Sequence, residues 1–290
     1  MSLKQKTEAI MEKAQIECLK QNSDRIRLSV IRGTYFAKSG HPGGSLSIAD
    51  LLSYLYFAEM HVDPADPRSD KRDRLVLSKG HAAPALYGAL ALRGFFPVSD
   101  IDTLRKADSY LQGHPDMKGT PGVDMSTGSL GQGISAACGM ALSAKLSDKK
   151  YNVFAVLGDG ELEEGQVWEA AMFASHYGLS NLCAFIDLNG LQIDGTTAEV
   201  MNSAPVDDKF RAFGWNTLVI NGHDFEDIDR AVSAFHTERK RPTAVIMNTV
   251  KGKGVSFMEG KCSWHGKAPA KEEFDAACAE ISARLGKEGE

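Results

Sequence analysis

The sequence lacks the features of a membrane or secreted protein. None of its apolar runs approaches the roughly 20 residues that a membrane-spanning helix requires. The first 20 residues carry charged side chains throughout and lack the apolar centre of a signal peptide. We therefore expect a cytoplasmic protein with no membrane partner.

The sequence also lacks an excess of basic residues and any paired cysteine motif. Lys and Arg number 33 against 38 Asp and Glu, for a formal net charge of -5 at pH 7, which argues against nucleic acid as a partner. The cysteines are scattered, odd in number and without a CxxC pair, so we expect reduced thiols and not a disulfide framework or zinc site. They are Cys18, Cys138, Cys183, Cys262 and Cys278.

Two common phosphate-binding motifs are missing as well. The glycines at 158, 160 and 165 do not have the GxGxxG spacing, and no GxxxxGK[ST] segment occurs. A P-loop ATPase therefore loses support. A nicotinamide-dependent oxidoreductase, with Asp187 as the acidic residue on the ribose, also becomes a weak alternative.

What the sequence does contain is an alternation of apolar strands and helices. Short apolar runs predict strands at Arg74–Leu77, 153–157, 182–187, 216–220 and 243–248. Helical spacing predicts helices at 8–38, 47–59, 82–92, 134–146, 164–177, 225–238 and, as a charged terminal helix, 267–290. Such alternation is typical of a doubly wound α/β fold with a mostly parallel sheet and helices on both faces. We expect a single domain over residues 1–290.

Polar residues follow two of the predicted strands. Asp159 lies between two glycines after the strand at 153–157, and Asn189 follows the next strand. Carboxylate and amide oxygens are ligands that Mg²⁺ and Ca²⁺ prefer, and glycines let a diphosphate approach the backbone. The alternative is that Asp159 only caps a helix and that Asn189 belongs to an ordinary turn. In a parallel sheet both strand ends would meet at one edge, which is where ligands bind.

A G-D-G segment followed about 30 residues later by Asn resembles the fingerprint of thiamine diphosphate enzymes. Further segments, in order along almost the whole chain, resemble those of transketolases. They are SGHPGG (39–44), DRLVLSKGHAAPALYGAL (73–90), GHPD (113–116), TPGVDMSTGSLGQGIS (120–135), GDGELEEGQVWEA (158–170), DLNGLQIDG (187–195) and WHG (264–266).

The resemblance implies a set of metal and diphosphate contacts. Asp159, Asn189 and the backbone carbonyl of Leu191 would bind Mg²⁺, or Ca²⁺ or Mn²⁺ in its place. Gly160 would lie against the diphosphate of thiamine diphosphate.

The resemblance also implies contacts to the rest of the cofactor. Gly128, Ser129 and Leu130 match the segment that contacts the aminopyrimidine ring, although Ser129 stands where the family has proline. Glu164 matches a glutamate that lies near the subunit contact and links two active sites.

Four of the eight histidines lie in the matched motifs. By resemblance, His81 and His265 approach the diphosphate. His41, His114 and His265 would be catalytic residues that bond the hydroxyls of the sugar and move protons, for which the near-neutral pKa of imidazole is suited. Of the others, His223 is expected to be structural, and surface or helix positions are expected for His61, His176 and His236.

The activity implied by the resemblance is transfer of a two-carbon ketol unit from a ketose (phosphate) to an aldose (phosphate) through thiamine diphosphate. Transketolases of full length have a second domain that binds the pyrimidine ring, and no segment here is long enough to form it. We therefore expect the N-terminal subunit of a split transketolase, active only with a C-terminal subunit in an α2β2 assembly.

Other interpretations remain. The chain could belong to another thiamine diphosphate enzyme, such as a 2-oxoacid dehydrogenase or a deoxyxylulose phosphate synthase, or be a non-catalytic binding relic. The two basic residues Lys251 and Lys253 are expected to be either solvated loop charges or groups that assist diphosphate binding. The sugar itself, and whether it belongs to the pentose phosphate route, is not indicated by the residues.

Overall fold

A computed structural model describes residues 11–286 of the chain. Its centre is a five-stranded sheet in the order β1-β2-β3-β7-β6, and every neighbouring pair is parallel. The strands are β1 (Arg74–Leu77), β2 (Val153–Gly158), β3 (Leu182–Leu188), β6 (Asn216–Asn221) and β7 (Thr243–Asn248). A separate two-stranded antiparallel hairpin consists of β4 (Leu191–Gln192) and β5 (Gly195–Thr196). The predicted α/β class is confirmed.

The helices cover both faces of the sheet. They are α1 (Lys13–Ala37), α2 (Pro42–Leu46), α3 (Ala49–Tyr54), α4 (Ala83–Arg93), α5 (Gln132–Leu146), α6 (Gly165–His176), α7 (Thr197–Val200), α8 (Val206–Ala212), α9 (Phe225–Thr237) and α10 (Lys271–Gly286). A π-helical turn, Leu55–Glu59, extends α3. No helix within residues 11–286 is long and apolar enough to cross a membrane.

Strand alternation divides the core into two layers. Along β2, Phe154 and Val156 face one layer, which also contains side chains of α1, α3, α4 and α9. The residues between them, Val153, Ala155 and Leu157, face the other layer, with α5, α6 and α8. All five side chains are fully buried, so β2 has no solvated face and appears in the sequence as a continuous apolar run.

The predicted boundaries agree closely with the structure at the strands. β1 and β7 have the predicted bounds, and each of the other predicted strands is extended by a single residue. The predicted ends of the first and last helices, residues 8–10 and 287–290, lie outside the described residues.

The sequence prediction missed the elements between β3 and β6. The strands of the β4–β5 hairpin are two residues long, too short for a periodic pattern. In α8, only Val206 and Phe210 are buried, and the remaining residues are mostly charged, so the apolar pattern consists of one i, i+4 pair. The predicted loop at 39–44 is also partly helical, because Pro42 starts α2 at its N-terminus.

Candidate active site at the carboxyl edge of the sheet

Four adjacent strands end at the same edge of the sheet, and a polar side chain follows each of them there. Lys79 follows β1, Asp159 follows β2, Asn189 follows β3 and Lys251 follows β7. Because the strands are parallel and neighbouring, residues far apart in sequence come together at this edge. The expected meeting of Asp159 and Asn189 at adjacent strand ends is observed.

Asp159 is 3% exposed, and both of its carboxylate oxygens accept backbone hydrogen bonds. Oδ1 accepts from Gly160 N at 2.9 Å, and Oδ2 accepts from Gly190 N at 2.6 Å. Burial, followed by the nearby charge of Asp187, raises the pKa of Asp159 to about 6. The aspartate therefore does cap the short 3-10 turn Gly160–Glu163, as the structural alternative proposed, but it also contacts the turn that carries Asn189.

The turn at Asn189 contains two further candidate oxygen ligands, the side-chain oxygen of Asn189 and the backbone carbonyl of Leu191. Asn189 Oδ1 accepts from Leu191 N at 3.2 Å, and the side-chain amide donates to Asp187 Oδ2 at 2.9 Å. Gly190 has a φ of 75°, a conformation that favours glycine. Each oxygen keeps a lone pair, so a carboxylate, an amide and the Leu191 carbonyl remain chemically able to bind a hard cation.

No cluster of three or more His, Cys, Asp or Glu side chains suited to a metal occurs within residues 11–286. The expected ligand set does not require one, because two of its three members are an amide and a backbone carbonyl. Asp187, the nearest other carboxylate, is already engaged.

Asp187 is fully buried and accepts bonds from four groups. Lys79 Nζ donates at 2.6 Å, Ser47 Oγ at 2.7 Å, and the remaining donors are Thr249 Oγ1 and the Asn189 amide. Burial alone would raise the pKa of Asp187, but Lys79 and the hydroxyl donors outweigh it and lower the pKa. Asp187 is therefore an internal counter-ion, and the alternative in which it binds a ribose is wrong.

Lys251 is a basic residue whose burial could not be predicted from the sequence. It is 3% exposed, so the interpretation of Lys251 as a solvated loop charge is wrong. Its Nζ donates to the Leu191 carbonyl at 2.9 Å and lies 3.1 Å from His265 Nδ1. Burial and the charge of Lys79 lower its pKa. Lys253 is partly exposed and pairs with Glu259 at 3.5 Å.

Three of the motif histidines form a nearly equilateral triangle. The ring centroids of His41, His81 and His265 are separated by 5.2 Å (His41–His81), 5.3 Å (His41–His265) and 5.2 Å (His81–His265). Burial, followed by nearby cations, lowers the pKa of both His41 and His265 to about 4, and the same causes lower the pKa of His81 well below its usual value. These rings are therefore neutral near pH 7, and each has one ring nitrogen that can accept a hydrogen bond.

His41 has a feature that points to a missing partner. Its Nδ1 is buried and has no hydrogen-bond partner among the described residues. Buried polar atoms are nearly always paired in native proteins. An unpaired ring nitrogen beside two other imidazoles is consistent with a polar ligand at this edge.

The fourth motif histidine, His114, is exposed and lies beside the Gly128 segment. A methyl group placed on Gly128 would lie 3.3 Å from the His114 ring. Arg105 lowers the pKa of both His41 and His114, after burial. The structure thus brings His114 and the Gly128 segment together at one end of the site.

Of the remaining predicted residues, Ser129 and Glu164 are exposed and Leu130 is half-buried. Glu164 precedes α6, and its Cβ would be 2.8 Å from a methyl group placed on Gly131. Glu164 therefore borders the 128–131 segment on the open side of the site. Outside the site, His61 and His176 are exposed and His236 lies in α9, as expected.

Sequence reasoning missed Glu161. Its carboxylate is 2% exposed and accepts from Ser78 Oγ, from Gly131 N at 2.9 Å and from Gly158 N at 3.1 Å. Burial raises its pKa. The signal was present in the sequence as an acidic residue two positions after Asp159, but acidic residues in such a loop are usually solvated.

Comparison with known proteins shows the family to which the chain belongs. A family model described as the transketolase, thiamine diphosphate binding domain matches residues 19–288. The chain belongs to the transketolase family, and the resemblance read from its motifs is confirmed.

Two similar relatives are themselves named as transketolase subunits. The chain is 50% identical over 242 residues to the 6-deoxy-6-sulfo-D-fructose transketolase subunit SqwG of Clostridium sp. (strain MSTE9), covering 83% of this chain and 88% of that one. It is 44% identical over 273 residues to one of the subunits of the apulose-4-phosphate transketolase of Phocaeicola vulgatus, covering 94% of this chain and 97% of that one.

Longer transketolases match over part of their length. Human transketolase is 42% identical over 276 residues, which cover 94% of this chain but 44% of the human protein. The crystal structure of transketolase from Campylobacter jejuni superposes with a TM-score of 0.87 at 33% identity, over 94% of this chain and 43% of that one. The chain thus corresponds to less than half of these larger enzymes.

Proposed function

We propose that this chain is the diphosphate- and metal-binding half of a two-subunit transketolase. The observation that carries the proposal is the convergence of Lys79, Asp159, Asn189 and Lys251 on one sheet edge beside three neutral imidazoles. Oxygen ligands and buried cations lie together there, which is the combination that a metal-bound diphosphate requires. Mg²⁺, or Ca²⁺ or Mn²⁺, is the proposed ion.

The residues divide into groups by what they hold. Asp159, Asn189 and the Leu191 carbonyl bind the metal, and Gly160, His81 and His265 contact the diphosphate. Lys251 contributes a further positive charge, since its amine already touches the Leu191 carbonyl and His265. The segment Gly128, Ser129 and Leu130 contacts the aminopyrimidine end, and Glu164 faces the subunit contact.

The cofactor would supply a thiazolium ring that accepts electrons while the C2–C3 bond of a ketose breaks. In this proposal, the chain positions the sugar and helps to move the protons of its hydroxyl groups. His41, His114 and His265 hydrogen-bond the hydroxyls of the substrate, and the lowered pKa of each ring keeps it neutral at neutral pH, so that it can accept such hydrogen bonds.

The second half of the enzyme is proposed to be a separate C-terminal subunit. The two relatives named as subunits are matched over 88% and 97% of their lengths, whereas single-chain transketolase is matched over 44%. These coverages support a pyrimidine-binding domain on another chain, and the proposed assembly is α2β2. The substrates are a ketose and an aldose that carry phosphate or another acidic group, because the names of the two relatives specify a sulfonated and a phosphorylated sugar.

Removal of the metal ligands tests the proposal. In the two-subunit assembly, Asp159→Ala and Asn189→Ala are expected to weaken binding of thiamine diphosphate with Mg²⁺ by at least about tenfold, because each removes one oxygen ligand of the cation. Isothermal titration calorimetry measures the dissociation constants. Asp194→Ala is the matched control, because it removes an exposed aspartate in the turn of the β4–β5 hairpin that follows Asn189, and this variant should bind as the parent does. Parent-like binding by both ligand variants would reject the metal site.

A further inference from the structure

The segment that carries Lys251 is tightly packed despite being a loop. Gly252 and Gly254 have φ values of 81° and 87°, and Gly252 N donates to Gly43 O at 3.0 Å. A methyl group on Gly252 would lie 2.5 Å from Met258 O, and one on Gly254 would lie 2.6 Å from Arg27 Cδ. Neither position accepts a side chain, so the path of residues 250–254 is closely determined.

His223 joins this segment to a buried carboxylate. Its Nδ1 lies 2.8 Å from Asp50 Oδ2, and its Nε2 lies 2.9 Å from Val250 N. A backbone N–H can only donate, so Nε2 is the unprotonated nitrogen and Nδ1 carries the proton that it donates to Asp50. The neutral imidazole therefore connects a carboxylate to a backbone N–H in one defined tautomer.

Arg27 holds the same segment from a second direction. Its Nη2 pairs with Asp50 at 2.5 Å, and its Nε donates to the Lys253 carbonyl at 3.1 Å. Arg284 of α10 donates to the Gly254 carbonyl at 2.8 Å. Burial alone would raise the pKa of Asp50, but Arg27 and His223 outweigh it and lower the pKa to about 2, so this anchor stays charged.

We propose that His223 is a positioning residue, which together with Asp50 and Arg27 fixes residues 250–254. The fixed segment holds the Lys251 amine at the carboxyl edge of the sheet, where the cofactor is proposed to bind. The network reaches the site through the backbone of this segment, because its side chains bond Val250 N and the Lys253 carbonyl on either side of Lys251. The inference rests on the proposed function, since it assigns the positioned amine to a diphosphate.

Two substitutions of His223 separate the two hydrogen bonds. In His223→Gln the side-chain oxygen reaches the place of Nε2 and can still accept from Val250. In His223→Asn the amide nitrogen replaces Nδ1 and can donate to Asp50, but no acceptor reaches Val250. Both variants lose the ring, so a purely structural role would affect them alike.

The first measurement is hydrogen exchange of the Val250 amide in the full chain. Exchange is expected to accelerate at least about tenfold in His223→Asn and to stay within about threefold of the parent in His223→Gln, because only the latter retains the acceptor. Equal exchange in both variants would show that the Val250 bond does not hold the segment.

The second measurement is binding of magnesium pyrophosphate, which contains the diphosphate without the thiamine. The dissociation constant of the full chain is expected to rise about tenfold in His223→Asn, the effect of losing about one hydrogen bond, and less than about threefold in His223→Gln. Lys20→Ala is the control, because Lys20 is exposed on the same side of the molecule and is not among the groups that bond residues 250–254.

Arg27→Lys keeps the test decisive if His223→Asn does not fold. It retains a charge beside Asp50 but loses the Nε donor to the Lys253 carbonyl, and it should weaken pyrophosphate binding severalfold. Unchanged binding in the variants would overturn the positioning role alone. Failure of the parent to bind pyrophosphate would overturn it as well, whereas the metal-ligand variants in the two-subunit assembly decide the proposed function separately.

Discussion

At the scale of single residues, the site depends on charges placed where water cannot solvate them. Lys79 is 1% exposed and Asp187 is fully buried, and they form an ion pair of 2.6 Å. Such a pair contributes little net stability when intact, but removal of one partner leaves an unpaired buried charge. The arrangement therefore places two opposite charges beside the proposed metal ligands and makes the chain sensitive to substitution of either residue.

Lys79→Met is expected to destabilise the chain by about 3–5 kcal/mol, because the Asp187 carboxylate loses its charged donor in a dry environment. The double variant Lys79→Met/Asp187→Asn should recover part of this loss, since no unpaired charge remains. Urea unfolding at pH 7 measures both free energies. A loss below about 1 kcal/mol in the single variant would mean that the pair is solvated in solution.

His41 should give the chain a pH dependence on the acid side. Its pKa is lowered from 6.5 to about 4 by burial and by Arg105, so between these values the unfolded chain binds a proton that the folded chain does not. Stability is therefore expected to fall as the pH decreases from about 6.5 to 4.

The matched comparison is His41→Asn, which cannot titrate in this range. Its free energy of unfolding, measured with urea at pH 7 and pH 5, should decrease less than that of the parent over the same interval. An equal decrease would show that the His41 ring is protonated in the folded chain as easily as in the unfolded one.

At the scale of elements, one buried carboxylate connects the loops that form the site. Glu161 accepts hydrogen bonds from the ends of β1 and β2 and from the N-terminus of α5. Each of these elements contributes a different part of the proposed cofactor contacts. The relative position of these parts therefore depends on one residue that is not among the proposed cofactor contacts.

Glu161→Ala is expected to destabilise the chain by roughly 2–4 kcal/mol, because three donors, two of them in buried hydrogen bonds, lose their acceptor at once. Glu161→Gln keeps one acceptor oxygen and should cost less. Thermal unfolding monitored by circular dichroism ranks the two variants against the parent. As a control, Glu163→Ala removes a neighbouring exposed carboxylate and should leave the midpoint nearly unchanged.

The elements also show what the sequence could and could not predict. Short apolar runs located all five strands of the main sheet, since helices cover both faces of the sheet. The polar residues that follow β2 and β3, Asp159 and Asn189, could be identified from the sequence as candidate metal ligands. The burial of Lys251 and the role of Glu161 could not be predicted, because they depend on contacts with residues 60 and 30 positions away, Leu191 and Gly131. Short elements such as α8 carry too few apolar positions to be recognised.

At the scale of the whole molecule, the chain resembles less than half of a single-chain transketolase. Its proposed site is open on the side of Ser129 and Glu164, both of which are exposed. This is the side on which the proposed C-terminal subunit would complete the cofactor pocket.

The isolated chain, given thiamine diphosphate, Mg²⁺ and a ketose phosphate, is expected to show no ketol transfer above background, because the pyrimidine-binding half is absent. Addition of the C-terminal subunit should restore turnover and bring both chains into one species by size-exclusion chromatography with light scattering. Robust turnover by the chain alone would reject the split-enzyme proposal.

The position of β7 has a consequence for biosynthesis. Although it is the last strand in the chain, β7 inserts between β3 and β6. While a ribosome is still making residues 243–248, both neighbours lack the strand that later separates them, and each exposes an unpaired edge. Lys251 lies three residues after the end of β7. The proposed cofactor site can therefore form only after residues 243–251 have been synthesised, because they fill the gap between β3 and β6 and carry Lys251 to the edge of the sheet.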